Sequence, residues 1–402
     1  MLRRFVAVSI AIAGFALTAE APPQLQTRAA AFSQDASAYA RLEGVTEAEA
    51  LRRLTIQQAS IAATDALAAE FADRLAGIII QHRPNYRFLV HLTGLEPVAP
   101  RSLQFDGSSM SVEFVPGAAV TEQVAVAALN AHLAELRRLF PHSSGIGYDP
   151  LTAAIVVMVR SSAVSGTAIA DGRHAAGVPL RIVDTTAFSA DMSLSGGVRI
   201  QGVANGIRER CTSGFVVTDG TRKAIATAAH CPDELTYRDP EGATFDLPLV
   251  GQWGAGYRDV QINLADAETA PAFYSDRKEG ALRSLENWRN RASTRVGDVV
   301  CHWGESSGYS CAEVAMVNFA PPGELCGGPC TSTWVAVRGP SCQSGDSGGP
   351  VFIGTTAFGI VKGRTGAPDG KCLIYYYMST DYIPPPWTLL YAGRPSGTIA
   401  PH

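Results

Sequence analysis

Three residues far apart in the chain have the types needed to turn an alcohol into a nucleophile. Ser347 stands in CQSGDSGGP (342–350), beside Asp346 and among Gly345, Gly348 and Gly349. A serine on such a bend can be presented with backbone N–H groups turned toward the atom it attacks. His230 lies in TAAHC (227–231), after a strand-like run, where Ala228 and Ala229 let the backbone pack closely. Asp259 sits in GYRDVQINLA, at the start of another strand-like run. A neutral hydroxyl is a poor nucleophile, so an imidazole must take its proton and a carboxylate must fix the tautomer of that imidazole. The oxyanion formed by the attack needs two N–H donors, and Gly345 and Ser347 are placed to supply them. Each piece alone has a plain structural reading: a turn, a histidine beside a cystine, a strand cap. In the order His, Asp, Ser they match one of the known chain orders for this geometry.

The elements that must hold these residues are short strands. From about residue 190 onward, GFVVTDG, KAIATAAH, RDVQINLA, VAMVNFA, TWVAVRG, PVFIGTTAFGIVKG and CLIYYYMST alternate with Gly, Pro, Asp and Ser turns. Strands without intervening helices predict a barrel or sandwich. The polar stretch 270–295 reads as an inserted loop or short helix, and the Pro-rich end is expected to fray after Tyr391.

The first half has a different texture. Thr46 and Glu49 have capping-box spacing at the start of a helix. Leu67, Phe71 and Leu75 recur every four residues on one face. FLVHLTGL and SMSVEFV read as strands, residues 121–140 place Leu129, Leu133, Leu136 and Phe140 on one helical face, and TAAIVVMVR and PLRIVDT return as strands. This is an α+β unit without a cluster of chemical groups; His82, His91, His132, His142 and His174 are scattered and read as solvated or locally satisfied.

The chain has 402 residues, enough for two or three domains, with 46% hydrophobic and 17% charged residues. A net charge of -4 gives no basic excess, which argues against nucleic acid or an anionic membrane as partner. At the N-terminus Arg3 and Arg4 precede an apolar run from Phe5 to Leu17 and the small-x-small triplet Ala19-Glu20-Ala21, so residues 1–21 read as a secretory signal and the product as exported and free of the membrane after its removal. All eight cysteines lie between Cys211 and Cys372. An even count behind an export signal reads as disulfides, and their confinement to the second half suggests that only this part must persist outside the cell.

TAAHC and GDSGGP resemble the signatures of chymotrypsin-like serine proteases. SGGVRIQ, CTSGFVV, GYRDVQINL, VVCHWGESSGYSC and SCQSGDSGG are similar, more narrowly, to the bacterial secreted branch that includes α-lytic protease and the streptogrisins. The upstream EGVTEAEALRRL and GIGYDPLTAAIVVMV resemble the pro-regions of that branch. The resemblance implies an all-β double barrel with the site between the barrels for residues 195–402. It also implies an α+β pro-region over 22–194, helical to about residue 105, that acts as folding aid and inhibitor before removal near Ser193–Ser195. It maps disulfides as Cys211–Cys231, Cys301–Cys311 and Cys342–Cys372, and leaves Cys326–Cys330 of CGGPC as a tight extra loop; sequence alone fixes none of these pairings. The catalytic residues it implies are His230, Asp259 and Ser347, acting on a protein or peptide substrate as a self-processing monomer without cofactor or metal.

Three departures stand out, one of them the spacing CQSG before Asp346, which is shorter than in the nearest relatives. His302 replaces the arginine that relatives pair with the aspartate before the nucleophile, and it either pairs with Asp346 as a cation or donates one hydrogen bond as a neutral ring. On the substrate-binding strand Lys362 stands where relatives tend to have serine, and after Gly363 comes Arg364, close to the S1 rim; the two cations would either favour an acidic P1 side chain or point to solvent. Two other functions stay open: a non-catalytic double-barrel binding protein, which usually lacks one of the three residues, and an esterase, which usually carries a G-x-S-x-G elbow in another order.

Overall fold

A computed structural model describes residues 25–392 apart from 106, 142, 144, 160–165, 185–188, 192–196, 205, 239–243, 266–268 and 367–370. The expected signal peptide, the processing segment Ser193–Ser195 and the tail after 392 lie outside the described residues.

The chain starts with a short strand β1 (Leu25–Gln26) and three helices, α1 (Arg28–Glu43), α2 (Glu47–Ala59) and α3 (Ile61–Glu70). Thr27 and Thr46 cap α1 and α2 by accepting from the N–H groups of Ala30 and Glu49. Only half of the expected capping box forms, because the Glu49 carboxylate is held by Arg52 and Arg53 instead. This run of helices ends at Glu70, well before residue 105. Strands β2 (Leu75–Gln81), β3 (Arg87–Thr93), β4 (Arg101–Phe105) and β5 (Ser108–Ala118) form a sheet in the order β2-β3-β5-β4. Leu75 thus opens a strand and does not extend the helical face of Leu67 and Phe71; the run Ile78–Ile80 that follows favours an extended backbone. The three residues still meet, in one core with Phe88, Val90 and Val112.

Next come α4 (Glu122–Leu139), β6 (Gly145–Asp149), β7 (Ala154–Val159), α5 (Gly166–Ala176), β8 (Leu180–Asp184) and β9 (Ser189–Asp191). Leu129, Leu133, Leu136 and Phe140 are buried together against Ile155, Val157 and Val159, as their spacing predicts.

The second half is strand-rich. Strands β10 (Arg199–Ala204), β11 (Ile207–Thr212), β12 (Val216–Thr218), β13 (Lys223–Thr227), β14 (Leu235–Arg238), β15 (Thr244–Leu247), β16 (Leu249–Trp253) and β17 (Val260–Leu264) build the first barrel from two sheets, β11-β10-β14-β15 and β16-β17-β13-β12. Residues 270–295 are not a polar loop or a helix: they form the hairpin β18 (Ala272–Asp276) and β19 (Ala281–Ser284), then β20 (Asn287–Trp288). Their polar look comes partly from Arg283, which is fully buried against Asp35 of α1. The last strands are β21 (Val299–Gly304), β22 (Gly308–Ala320), β23 (Trp334–Arg338), β24 (Pro350–Ile353), β25 (Thr356–Gly366), β26 (Cys372–Ser379) and β27 (Thr388–Leu389). The order β21-β24-β25-β26-β23-β22 closes on itself through the β21–β22 pairing, giving a six-stranded barrel around Trp303, Trp334, Val337 and Phe352. Closure leaves no unpaired barrel edge.

The first half is docked on this second barrel. Strand β22 runs past the barrel and pairs β6, with Phe319 opposite Gly147. Gln57 of α2 accepts from Val299 N–H and donates to its C=O, acting as a strand neighbour. His82 is buried, bonded to Tyr39 and to the Gly297 carbonyl, so it is the satisfied kind of histidine. Strand β9 lies antiparallel on β25, with Asp191, Ala190 and Ser189 opposite Gly363, Arg364 and Thr365. It takes the part of β25 beyond Ile360, where the pairing with β24 has ended.

Candidate active site

The site is assembled by strand ends facing each other across the two barrels. Strand β13 runs buried through Ala226 and Thr227 and delivers His230 at its end. The disulfide Cys211–Cys231 holds the residue after it to β11. Asp259 comes just before β17, fully buried, and its backbone N–H donates to the Met378 sulfur of β26 at 3.3 Å. Ser347 sits on the bend between β23 and β24.

Asp346 pins that bend. Its carboxylate accepts from Gln343 N–H at 2.9 Å, Ser307 N–H at 3.1 Å and Ser307 Oγ at 2.6 Å. The Ser347 carbonyl accepts from Thr212 N–H at 2.8 Å, and Gly348 N–H donates to the Val361 carbonyl at 2.7 Å, so the backbone at Ser347 is fastened to both barrels. Gly348 must be glycine: its φ is +81°, and a Cβ there would fall on Thr227 Oγ1 and the Thr212 carbonyl. Gly345, with φ +122°, also uses backbone space that side chains avoid.

His302 makes no direct hydrogen bond to Asp346; its Nε2 lies 3.8 Å from Oδ2, within ion-pair reach when the ring is protonated. Ser307 stands between them, 3.2 Å from His302 Nε2 while donating to Asp346, and Ser310 Oγ lies 3.2 Å from His302 Nδ1. A hydroxyl relay therefore occupies the place that the sequence reading gave to a single His–Asp contact. Ser307 lies in GESSG with nothing in its local pattern to mark this role.

The three predicted residues come together. His230 Nδ1 is 2.8 Å from Asp259 Oδ2, the His230 N–H donates to Asp259 Oδ1 at 3.1 Å, and His230 Nε2 is 2.9 Å from Ser347 Oγ. With the ring proton on Nδ1 facing the carboxylate, Nε2 can accept from the hydroxyl. The ring is partly open, at 19% side-chain exposure, while Asp259 is sealed beneath it. Burial pushes the Asp259 carboxyl up, but His230 and Lys362 outweigh it and hold it down at about 2. The carboxylate is thus charged at any pH where the imidazole can act as a base.

Lys362 is not where the substrate-groove reading puts it. Its side chain is 1% exposed, with Nζ 3.4 Å from Asp259 Oδ2 and 3.3 Å from His230 Nδ1. The register of β25 against β26 shifts between Val361 and Gly363, and such a shift re-aims a side chain. The lysine turns under His230 and Asp259, which removes one of the two cations expected to meet an acidic P1 residue. Gly363 and Arg364 remain on the strand edge, under β9. The four disulfides are Cys211–Cys231, Cys301–Cys311, Cys326–Cys330 and Cys342–Cys372, the last of which lies beside the Ser347 bend.

No protein-family model matches the chain. It is 28% identical over 160 residues to streptogrisin-C of Streptomyces griseus, covering 39% of this chain and 33% of that protein. It is 26% identical over 180 residues to streptogrisin-D of the same organism, covering 43% of this chain and 42% of that protein. The chain thus spans less than half the length of the curated relatives it matches. Among solved structures it is similar to protease A of Thermobifida fusca, at 22% identity and a TM-score of 0.39, covering 50% of this chain and 99% of that one. The second half of the chain is thus similar in sequence to the streptogrisins.

Proposed function

We propose that the chain is a secreted serine endopeptidase made as a self-processing precursor. The observation that carries this reading is the hydrogen-bonded line from Asp259 through His230 to Ser347. Ser347 Oγ attacks the carbonyl carbon of a peptide bond while His230 Nε2 takes its proton; a C–O bond forms and the carbonyl π pair moves to oxygen. Gly345 and Ser347 N–H groups receive that oxyanion, each worth about 3 kcal/mol of barrier. The imidazolium then protonates the leaving nitrogen as the C–N bond breaks. Water repeats the sequence on the acyl-enzyme and frees Ser347. Asp259 holds the ring and stabilises its charged form.

Self-processing is supported by β9, which lies along the substrate-binding strand as an antiparallel peptide immediately before the expected cut at Ser193–Ser195. In this arrangement the first half is both a folding scaffold for the second barrel and a plug in its groove. Secretion is supported by the signal-like N-terminus and the four disulfides. The test is expression of the full chain beside Ser347→Ala. The wild type should yield a shortened product that begins near residue 195 and hydrolyses protein substrates. The variant should accumulate uncut and inactive. A Ser347→Ala chain cut at the same place with the same yield would remove self-processing, and a wild-type product inert toward denatured proteins would remove the endopeptidase reading.

A further inference from the structure

Lys362 is a buried cation that the attack–proton-transfer scheme does not require. Its ammonium faces the Asp259 oxygen that His230 Nδ1 also faces, at 3.4 Å and 3.3 Å from the two atoms. Nδ1–H and the ammonium are both donors, so they share one carboxylate oxygen and do not bond to each other. The consequence is electrostatic. When the ring takes the Ser347 proton it becomes a cation about one hydrogen-bond length from another cation, in a site closed to water on the lysine side. A like charge at that distance disfavours the charged ring.

We propose that Lys362 is a positioning residue that sets the acid limit of the reaction: it keeps Asp259 ionised and holds His230 neutral at lower pH than the His–Asp pair alone would allow. This deepens the endopeptidase reading and rests on it. The enzyme would then be suited to peptide hydrolysis in mildly acidic surroundings.

The charged groups that face the ring from each side are few among the described residues. Asp259 faces it from the start of β17 and Lys362 from β25. Asp346 on the nucleophile bend turns its carboxylate to Ser307 and Gln343. Arg258, next to Asp259, lies over the Tyr257 ring at 4.9 Å. Arg364, two residues along from Lys362, sits on the strand edge with its Nη1 toward Gly366. Removing the lysine charge therefore takes a cation from beside the ring and leaves the Asp259 carboxylate in place.

The sign is fixed. A cation beside the imidazole lowers the pH at which the ring gains its proton, so neutralising it moves that midpoint up, by about 1 to 3 pH units. Two readouts test this. In the full chain carrying Ser347→Ala, the ring nitrogen and Cε1–H NMR signals of His230 are titrated with and without Lys362→Met. The midpoint should rise by about one unit or more in Lys362→Met and stay near the starting value in Lys362→Arg. In the processed enzyme the acid limb of kcat/KM should move the same way. Equal midpoints, within about 0.3 unit, would overturn the proposal. So would a fall.

Lys362→Ser gives the same comparison with a smaller group if the methionine does not fold. If neither neutral variant folds while Lys362→Arg does, the lysine serves the fold and the proposal is overturned. The NMR titration needs no activity. A shifted midpoint in a chain that hydrolyses nothing would keep the electrostatic result and remove the enzymatic reading beneath it.

Discussion

The contact most exposed to a single change is Asp35 of α1. Its carboxylate accepts from Arg283 Nη1 and Nη2, both at 2.9 Å, from the Tyr309 hydroxyl and from Gly354 N–H, and both charged side chains are fully buried. Replacing Asp35 by Ala leaves the Arg283 guanidinium with neutral acceptors only, the side chains of Gln26 and Gln34 and the Gly354 carbonyl. Breaking a buried pair from one side costs about 3 to 5 kcal/mol. The cost falls on the docking of α1 and β1 against β19 and β22, not on the far side of the molecule. At about 1.4 kcal/mol per factor of ten, the opening equilibrium there should rise by about two to three and a half orders of magnitude. Hydrogen–deuterium exchange on the Ser347→Ala chain reads this directly, since that chain is expected to stay uncut. Peptides from α1 and from β18–β19 should exchange faster in Asp35→Ala by that factor, while peptides from β12, β13 and β17 keep their rates. Pairing Asp35→Leu with Arg283→Met should recover most of the protection, because apolar groups of similar size replace buried ion pairs at little cost. A rise of less than tenfold in α1, or an equal rise everywhere, would refute the claim that this pair clamps the first half to the barrel.

Asp259→Asn should lower kcat by about four orders of magnitude with KM little changed, because an amide can hold the ring in the wrong tautomer; an unchanged kcat would count against the assigned roles. The Asp259 carboxyl is held low, so the stability it adds is full above its ordinary value near 4 and is lost as the pH falls toward about 2. Thermal melts of the processed enzyme between pH 4 and pH 2 should show that loss, on the order of 2 kcal/mol, and Asp259→Asn should flatten it. Gly348→Ala puts a methyl on Thr227 Oγ1 at φ +81° and should cost about 2 kcal/mol or more together with most of the activity; a variant with wild-type melting would show that the bend can relax. Ser307→Ala removes the hydroxyl between His302 and Asp346 and should slow turnover by loosening the bend, read as a fall in kcat with the precursor still folding.

Much of the second half was legible because its signals are local. TAAHC and GDSGGP fix small residues, a cystine and permissive glycines at set spacings, and the strand segments around them alternate with turns, so the barrels and the meeting of His230, Asp259 and Ser347 could be expected. Lys362 was misread for the opposite reason. Its location depends on a register shift between β25 and β26 and on which face that shift turns inward, neither of which one strand's sequence records. The one available signal was burial by composition, since a lysine inside AFGIVKG must find a partner if that run is a central strand. Residues 270–295 were missed because a buried Arg283 looks the same in sequence as a solvated one, and its partner Asp35 lies 248 positions away. Leu75 was assigned to a helix because the four-residue period continues by coincidence into β2; the β-branched run that follows was the stronger signal.

The central claim is that Ser347 is a nucleophile activated by His230. A fluorophosphonate that reacts with activated serines tests it most directly when the adduct is mapped by peptide mass spectrometry. One adduct per chain on the peptide containing Ser347, lost in His230→Ala, is the predicted result. No adduct on the processed wild type, or one on another serine, would contradict the account.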